Sequence, residues 1–408
     1  MADAASGVEQ ALEGAFAALA PIGARADGGF DRFAWTKEDR QLRGWFEAQA
    51  AARDLTVDVD GNGNQWAWWG TPAPGSVVTG SHLDSVPGGG ACDGPLGVLS
   101  GVLALDELRR HGTRPARPVA VTNFVDEEGA RFGVACAGSR LLCGTLAPAA
   151  ARALRDADGV SLADAMTSFG ADPTTLGADD ARVARIGTFV ELHVEQGRAL
   201  AGMGAPVGVA TAIWPHGRWR LRFSGEGNHA GTTRLDDRRD PLLPFAATVL
   251  AARDAARRAG AHATVGRVEV HPNGVNVIAS RVDAWLDARA PDPATVDAVV
   301  AEVVEVAHRE GDAHGVAVEV DEQSRAPEVA FGDALRARLA HTLGGAPCLP
   351  TGAGHDAGVM AGRVPSAMLF VRNPTGISHS PAEHAEMADC AAGVRALAAV
   401  VGDLAGCR

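Results

Sequence analysis

The chain has 408 residues, of which 46% are hydrophobic and 21% charged, enough apolar residue for packed cores in two domains or three. Fifty acidic residues against 37 basic ones give a formal net charge of -13, which argues against a nucleic-acid partner. No run of 18 apolar residues is present to span a membrane, so no membrane partner is expected.

Residues 7–24 and 37–53 carry helical apolar spacing, with Trp35 and Trp45 as core positions. Leu55–Val59 alternates as a strand, and Asp60-Gly61-Asn62-Gly63 is a turn. Trp66–Trp69 reads as a second strand whose rings pack in the core or at an edge. A buried strand then leads through Val78 into Gly80-Ser81-His82-Leu83-Asp84, followed by the loop Gly88-Gly89-Gly90 and by helical spacing from Leu96 to Leu108. A strand, a glycine loop and a helix place His82, Asp84 and Asp93 at a strand's carboxyl end, where open α/β sheets carry their sites. His82 and Asp84 are two apart, so extended chain puts them on one face. A carboxylate beside an imidazole can fix its tautomer and leave the other nitrogen for a metal.

Val119–Val125 is a near-continuous apolar run, as in a parallel strand covered on both faces. It ends in Asp126-Glu127-Glu128-Gly129, where three carboxylates repel one another unless a cation lies among them. A solvated acidic turn would account for that cluster taken alone. Residues 146–182 are rich in Ala and Asp and read as helices and loops without evident chemistry. In the strand Thr188–Gly197, Glu191, His193 and Glu195 share one face, an expensive one to bury unless paired or metal-bound.

Near residue 211 the pattern changes. Arg218–Phe223 alternates strictly, as an antiparallel strand with one wet face does. A helix at 241–259, strands at 264–270, 275–279 and 282–288, a helix at 294–310 and a strand at 316–320 follow. The order is that of a βαββαβ ferredoxin-like unit. The first pattern returns with a helix at 333–343, the loop Gly352–Ala357, the strand Ala367–Val371, the segment Gly376–Glu383 and a last helix at 387–405. The expected division is therefore 1–211 and 326–408 for one α/β domain, with 212–325 inserted.

The six cysteines are scattered without a Cys-x-x-Cys pair, and Met1-Ala2-Asp3 lacks the basic start of a secretory signal; both fit a reduced cytoplasm. There is no tyrosine, and Lys37 is the only lysine, which excludes tyrosine acid/base chemistry and disfavours Schiff-base and P-loop chemistry.

Strand-end clusters thus offer His82, Asp93, Glu128, His193 and His379. Imidazole and carboxylate ligands together suit zinc, manganese, cobalt or nickel, and the absence of thiolate disfavours a structural zinc. Five ligands exceed one tetrahedral site, and a shared carboxylate would make a two-metal centre.

In these motifs, in this order, the chain resembles the amidase and carbamoylase branch of the dinuclear metallopeptidases. That branch holds N-carbamoyl-L-amino acid amidohydrolases, β-ureidopropionase, allantoate amidohydrolase and ureidoglycolate amidohydrolase. The likeness covers about residues 8–405 through six motifs. It implies a mixed-sheet α/β catalytic domain of zinc-exopeptidase type, with an inserted ferredoxin-like domain that makes a homodimer. It implies two divalent metal ions per subunit: His82 and His379 on different metals, Asp93 bridging, Glu128 and His193 completing the shells.

Glu127 matches the family's general base, and Asp84 would orient His82. His229 matches the residue that stabilises the oxyanion; Asn276 and Arg289 match those that hold the substrate's α-carboxylate. Gln196 matches a substrate-side contact, and Gly352–Asp356, with Gly354 and His355, a loop that closes the pocket. The implied reaction is hydrolysis of a linear C–N bond in a small anionic substrate, an N-carbamoyl amino acid or an allantoate-like ureido acid. Deacylation of N-formyl or other N-acyl amino acids, or dipeptide cleavage, would use the same site. A non-catalytic binding protein is disfavoured because Glu127 and Asp93 are both kept.

Three departures fall on substrate-facing loops: Arg234 after Thr233 where the family usually has proline, Ala279-Ser280 where it has Pro-Gly, and Arg372-Asn373-Pro374 after Val371 where it has Pro-Ser. Two extra guanidinium groups near a pocket predict a preference for substrates with a second carboxylate, unless Arg372 pairs with a local acid such as Glu383 or Glu386.

Overall fold

The computed structural model describes residues 2–407. It forms two compact units, Met1–Thr211 with Phe331–Arg408, and Ala212–Ala330. In chain order the strands are β1 (Thr56–Val59), β2 (Gln65–Trp69), β3 (Ser76–His82), β4 (Val119–Phe124), β5 (Ile186–Val194), β6 (Val207–Ile213), β7 (His216–Ser224), β8 (Asn228–His229), β9 (His262–His271), β10 (Val277–Ile278), β11 (Arg281–Arg289), β12 (Ala317–Ala326), β13 (Val329–Ala330), β14 (Cys348–Thr351) and β15 (Ser366–Val371). Among the described helices none is long and apolar enough to cross a membrane.

The larger unit is built on a mixed sheet in the order β1-β2-β4-β3-β5-β15-β6, with β14 also pairing β6. The four central strands, β4, β3, β5 and β15, run parallel. Every residue of β3, β4 and β15 is buried, and β4 and β15 read accordingly as near-continuous apolar runs. Alternate residues of the strands, among them Val77, Val121, Leu192 and Leu369, join the helices Pro95–Arg110 and Met387–Ala405 in one core. Leu96, Leu105 and Leu397 are fully buried there, each worth about 1.5–3 kcal/mol of transfer free energy. Because the four strands are parallel, their carboxyl ends and the loops that follow gather at one edge of the sheet.

The smaller unit is a four-stranded antiparallel sheet in the order β12-β7-β11-β9. With the helices Leu242–Ala259 and Pro293–Ala313 in sequence between strands, this is the ferredoxin-like arrangement. Trp219, Leu221 and Phe223 of β7 face its core with Val282, Leu286, Val296 and Val303, while Arg218, Arg220 and Arg222 alternate outward to carboxylates of β11 and β12. The second helix starts on Asp292, whose side chain accepts the Thr295 N–H, with Pro293 in its first turn. The strand expected at 275–279 is not a member of this sheet. Pro272 offers no N–H, and Asn273 is left-handed with φ of 47°. Only Val277 and Ile278 are extended there, and they pair with His229 and Asn228 as a separate ribbon.

Candidate metal centre

His82 is the last residue of β3 and is 1% exposed. Its Nδ1 lies 3.1 Å from the Asp84 carbonyl oxygen and 3.5 Å from the Asp84 carboxylate. His193, in β5, has Nδ1 2.9 Å from the Val194 carbonyl. In the neutral rings both Nδ1 atoms therefore donate, and both Nε2 atoms present a lone pair. Among the described residues neither Nε2 has a hydrogen-bond partner. Both face Asp93 Oδ1, at 3.7 Å from His82 and 3.2 Å from His193. Residue 94 must be glycine for this to fit. Its φ is +83°, and a Cβ there would lie 2.3 Å from the His82 ring.

The other oxygen of Asp93 faces a different set. Oδ2 lies 3.4 Å from His379 Nε2, and His379 Nε2 lies 3.6 Å from Glu128 Oε2. Glu128 Oε1 is buried without a partner among the described residues. Two groups thus share Asp93: His82, Asp93 and His193, and Asp93, Glu128 and His379, each with its ligand atoms within 4.8 Å of one another. His379 has a left-handed backbone, φ +55°, and so has Asp126 ahead of Glu127, φ +56°. Such conformations cost about 1–3 kcal/mol and persist where the surroundings impose them.

Asp84 does more than face His82. Its carboxylate accepts the backbone N–H of Glu127 at 3.2 Å and of Glu128 at 3.0 Å, fixing the turn after β4. Glu127 is 6% exposed, with Oε2 3.6 Å from His82 Nε2 and Oε1 accepting the Cys136 thiol at 3.1 Å. Gln196 donates from Nε2 to Asp93 Oδ2 at 2.7 Å, and its Oε1 is buried without a partner among the described residues.

The electrostatics show a site short of positive charge. Burial pushes the Glu127 carboxyl well above its ordinary range, and the Asp356 charge adds to this against the pull of His82. Burial, then Asp93, pushes Glu128 up to about 7. His193 is desolvated, yet the Asp93 carboxylate holds it up at about 9. Asp93 is drawn well below its range against burial, first by His193. Burial and the neighbouring Asp84 and Glu191 charges push Asp126 and Asp356 up as well. Crowded carboxylates that must hold protons, beside orphaned imidazole nitrogens converging on them, fit divalent cations bound by nitrogen and oxygen.

His355, expected at the substrate, is 3% exposed and packs its ring 4.5 Å from that of His193, while Gly354 is exposed. Burial and the His193 charge push the His355 imidazole well below its ordinary value, so it stays neutral behind that ligand candidate. Glu191 is close to both, but Ser81 Oγ and the Ala357 N–H already occupy its two oxygens.

In the smaller unit, His229 Nδ1 accepts the backbone N–H of Gly231 at 3.0 Å and of Thr232 at 3.2 Å, so the neutral ring carries its hydrogen on Nε2. Asn276 is beside it, its carbonyl accepting the Ala230 N–H. Arg289 is elsewhere, gripped by Asp287 at 2.7 and 3.1 Å. It ends β11, whose first residue Arg281 adjoins the ribbon, and nine extended residues span about 26 Å. That length separates Arg289 from the end of β11 that adjoins the His229 ribbon.

The expectation of a second-carboxylate pocket at Arg372 is overturned. Arg372 pairs bidentately with buried Asp389 in the last helix, at 2.7 and 2.8 Å. Its charge has an anion already, and that partner is neither Glu383 nor Glu386. Arg234 is exposed, 3.9 Å from Asp236 and from Asp237, and incurs no burial cost. Sequence reasoning also missed Cys136 against Glu127, and it named Glu383 only as a neighbour of His379 and a candidate partner of Arg372, not as the acceptor of the backbone N–H groups of Cys92 and Asp93.

Comparison with known proteins agrees with this geometry. Residues 78–403 match the model of peptidase family M20/M25/M40. The chain is 37% identical over 394 residues to the N-carbamoyl-L-amino acid amidohydrolase of Geobacillus stearothermophilus, covering 95% of this chain and 96% of that one. It is 34% identical over 408 residues to the allantoate amidohydrolase of Escherichia coli strain K12, with 97% and 98% covered. A crystal structure of an amidase of the hydantoinase/carbamoylase family from Burkholderia vietnamiensis superposes with a TM-score of 0.84 at 31% identity, over 97% of each chain. With the same fold, near full-length similarity and a strand-end cluster of metal-ligand type, the chain belongs to the amidase and carbamoylase branch of peptidase family M20/M25/M40.

Proposed function

We propose that the chain is a two-metal amidohydrolase that cleaves the linear C–N bond of an N-carbamoyl amino acid or an allantoate-like ureido acid. The observation that carries this reading is Asp93, with His82 and His193 on one oxygen and His379 and Glu128 near the other. His82, His193 and Asp93 would hold one ion, and Asp93, Glu128 and His379 the second. Zinc, manganese, cobalt and nickel all suit these donors. Divalent ions there would lower the pKa of water and polarise a carbonyl.

Glu127, buried beside the ligands, takes the proton of the attacking water and passes it to the leaving nitrogen. Attack at the carbamoyl carbon breaks its bond to the amino-acid nitrogen. The carbamate released decomposes, so that substrate and one water give amino acid, ammonia and carbon dioxide. Gln196 offers a substrate contact next to Asp93, and neutral His229, with hydrogen on Nε2, is a donor for a developing oxyanion. Arg289 and Asn276 would bind the substrate's α-carboxylate, the arginine bidentately.

Ammonia, formate and free amino acid should be measured over N-carbamoyl and N-formyl amino acids and allantoate, with added zinc, manganese, cobalt or nickel. Ammonia released with the amino acid from carbamoyl or ureido substrates is the expected result. Formate release alone would move the assignment to a deacylase.

The length of β11, about 26 Å from Arg281 beside the ribbon to Arg289, supports a site completed by two chains. We therefore infer a homodimer through the inserted unit. Glu127→Gln and His229→Ala homodimers should each be inactive. Mixed and allowed to exchange subunits, they should regain part of the parent activity, because one of the two sites then has both residues. No recovery, with exchange confirmed by differently tagged chains, would show that each site is built from one chain.

A further inference from the structure

Glu383 stands four residues beyond His379 and reaches back to the loop that carries Asp93. Its Oε2 accepts two successive backbone N–H groups, from Cys92 at 2.8 Å and from Asp93 at 3.0 Å. Its Oε1 lies 3.1 Å from the Ser378 hydroxyl, and the same hydroxyl lies 2.9 Å from Asp93 Oδ2. One carboxylate thus ties down the backbone of Asp93, and the Ser378 hydroxyl, with a single hydrogen to give, sits between Glu383 Oε1 and Asp93 Oδ2. The loop is shaped to admit it, since a Cβ on Gly90 would lie 2.3 Å from Glu383 Oε2. Two successive N–H groups on one buried carboxylate oxygen make this contact more than an ordinary loop hydrogen bond.

We propose that Glu383 is a positioning residue for metal binding, a clamp that aims Asp93 Oδ2 and His379 at one another. It rests on the reading that Asp93 is the shared metal ligand. The clamp acts on one side of the centre. Ser378 touches Oδ2, the oxygen that faces His379, and His379 lies within the clamped segment 378–383. His82 and His193 are held by strands β3 and β5 and by their own carbonyl contacts, which Glu383 does not touch. Loss of the clamp therefore loosens the ion of the Glu128–His379 group and spares the other.

The test uses the full chain, stripped of metal and titrated with zinc alone against a chromophoric chelator. The parent should bind two zinc ions. Glu383→Gln keeps the size of the side chain but loses the charge that holds both N–H groups. It should bind one ion as the parent does and the other about 10- to 100-fold more weakly. The metal-free chain should stay folded, with its melting temperature lower by only a few degrees. Ser378→Ala, which removes only the hydroxyl link, should weaken the same ion by a smaller factor, and it decides the matter if Glu383→Gln does not fold. Parent-like binding of both ions in the folded variants overturns the clamp while leaving the metal centre standing. Equal weakening of both ions, or a fall in metal-free melting temperature that accounts for the loss, also overturns it. A parent chain that binds no zinc overturns the metal reading itself, and the clamp with it.

Discussion

Asp93→Asn should leave the chain nearly free of metal and reduce turnover by about 10³-fold or more, equivalent to about 4 kcal/mol of transition-state stabilisation. The two oxygens of Asp93 serve different neighbours, Oδ1 the His82 and His193 pair and Oδ2 His379. An asparagine has one oxygen. Whichever way its amide turns, one side meets an NH2 group where the carboxylate offered an oxygen, and the formal charge that the two proposed cations would share is lost. If the NH2 faces the Oδ2 position, it also confronts the Gln196 donor now 2.7 Å away. Elemental analysis after dialysis against apo buffer, with circular dichroism to confirm folding, reads the result. A variant that keeps two ions per chain would show that Asp93 is not shared, and one that keeps a single ion would assign Asp93 to one group only.

What the sequence reveals of this molecule follows the range of the forces involved. His82, the Glu127-Glu128 pair and His193 are legible because each sits where a buried apolar run meets polar residues, and parallel strands align such points at one edge. The ferredoxin-like unit is legible because Arg218–Phe223 alternates strictly between a wet face and a core. Strand β6 is not. Its Gly208, Ala210 and Ala212 leave little side-chain pattern to read. Strand β14 is four residues long and contains Pro350, which an edge tolerates but a pattern search rejects. The role of Arg372 is not legible either, because Asp389 is 17 residues on, in the next helix, and pairing at that range has no period. Glu383 is hidden for the same reason, its bond to Asp93 closing a span of 290 residues. Arg289 shows the limit from the other side. The resemblance gives it a substrate-binding role, yet only the length of β11 shows how far it stands from the strand end that adjoins the His229 ribbon.

Glu127→Gln should retain both ions and lose about 10²-fold or more in kcat, with KM changed little. The two adjacent glutamates differ in surroundings that define their tasks. Glu128 has one oxygen 3.6 Å from His379 Nε2 and the other buried with no partner among the described residues, the environment of a candidate ligand. Glu127 has Oε1 engaged by the Cys136 thiol and its backbone N–H held by Asp84, which leaves Oε2 as its working oxygen, 3.6 Å from His82 Nε2. Glutamine keeps the shape and the Asp84 anchor but cannot take up a proton. Binding should therefore survive while the proton transfer fails. The acidic limb of the pH–rate profile, where a base loses activity by protonation, should vanish from the residual activity. Glu128→Gln should behave in the opposite way, losing metal before it loses the base. Metal analysis of the two variants side by side separates the roles. If Glu127→Gln were the one to lose an ion while Glu128→Gln kept both, the ligand and the base would have to be exchanged.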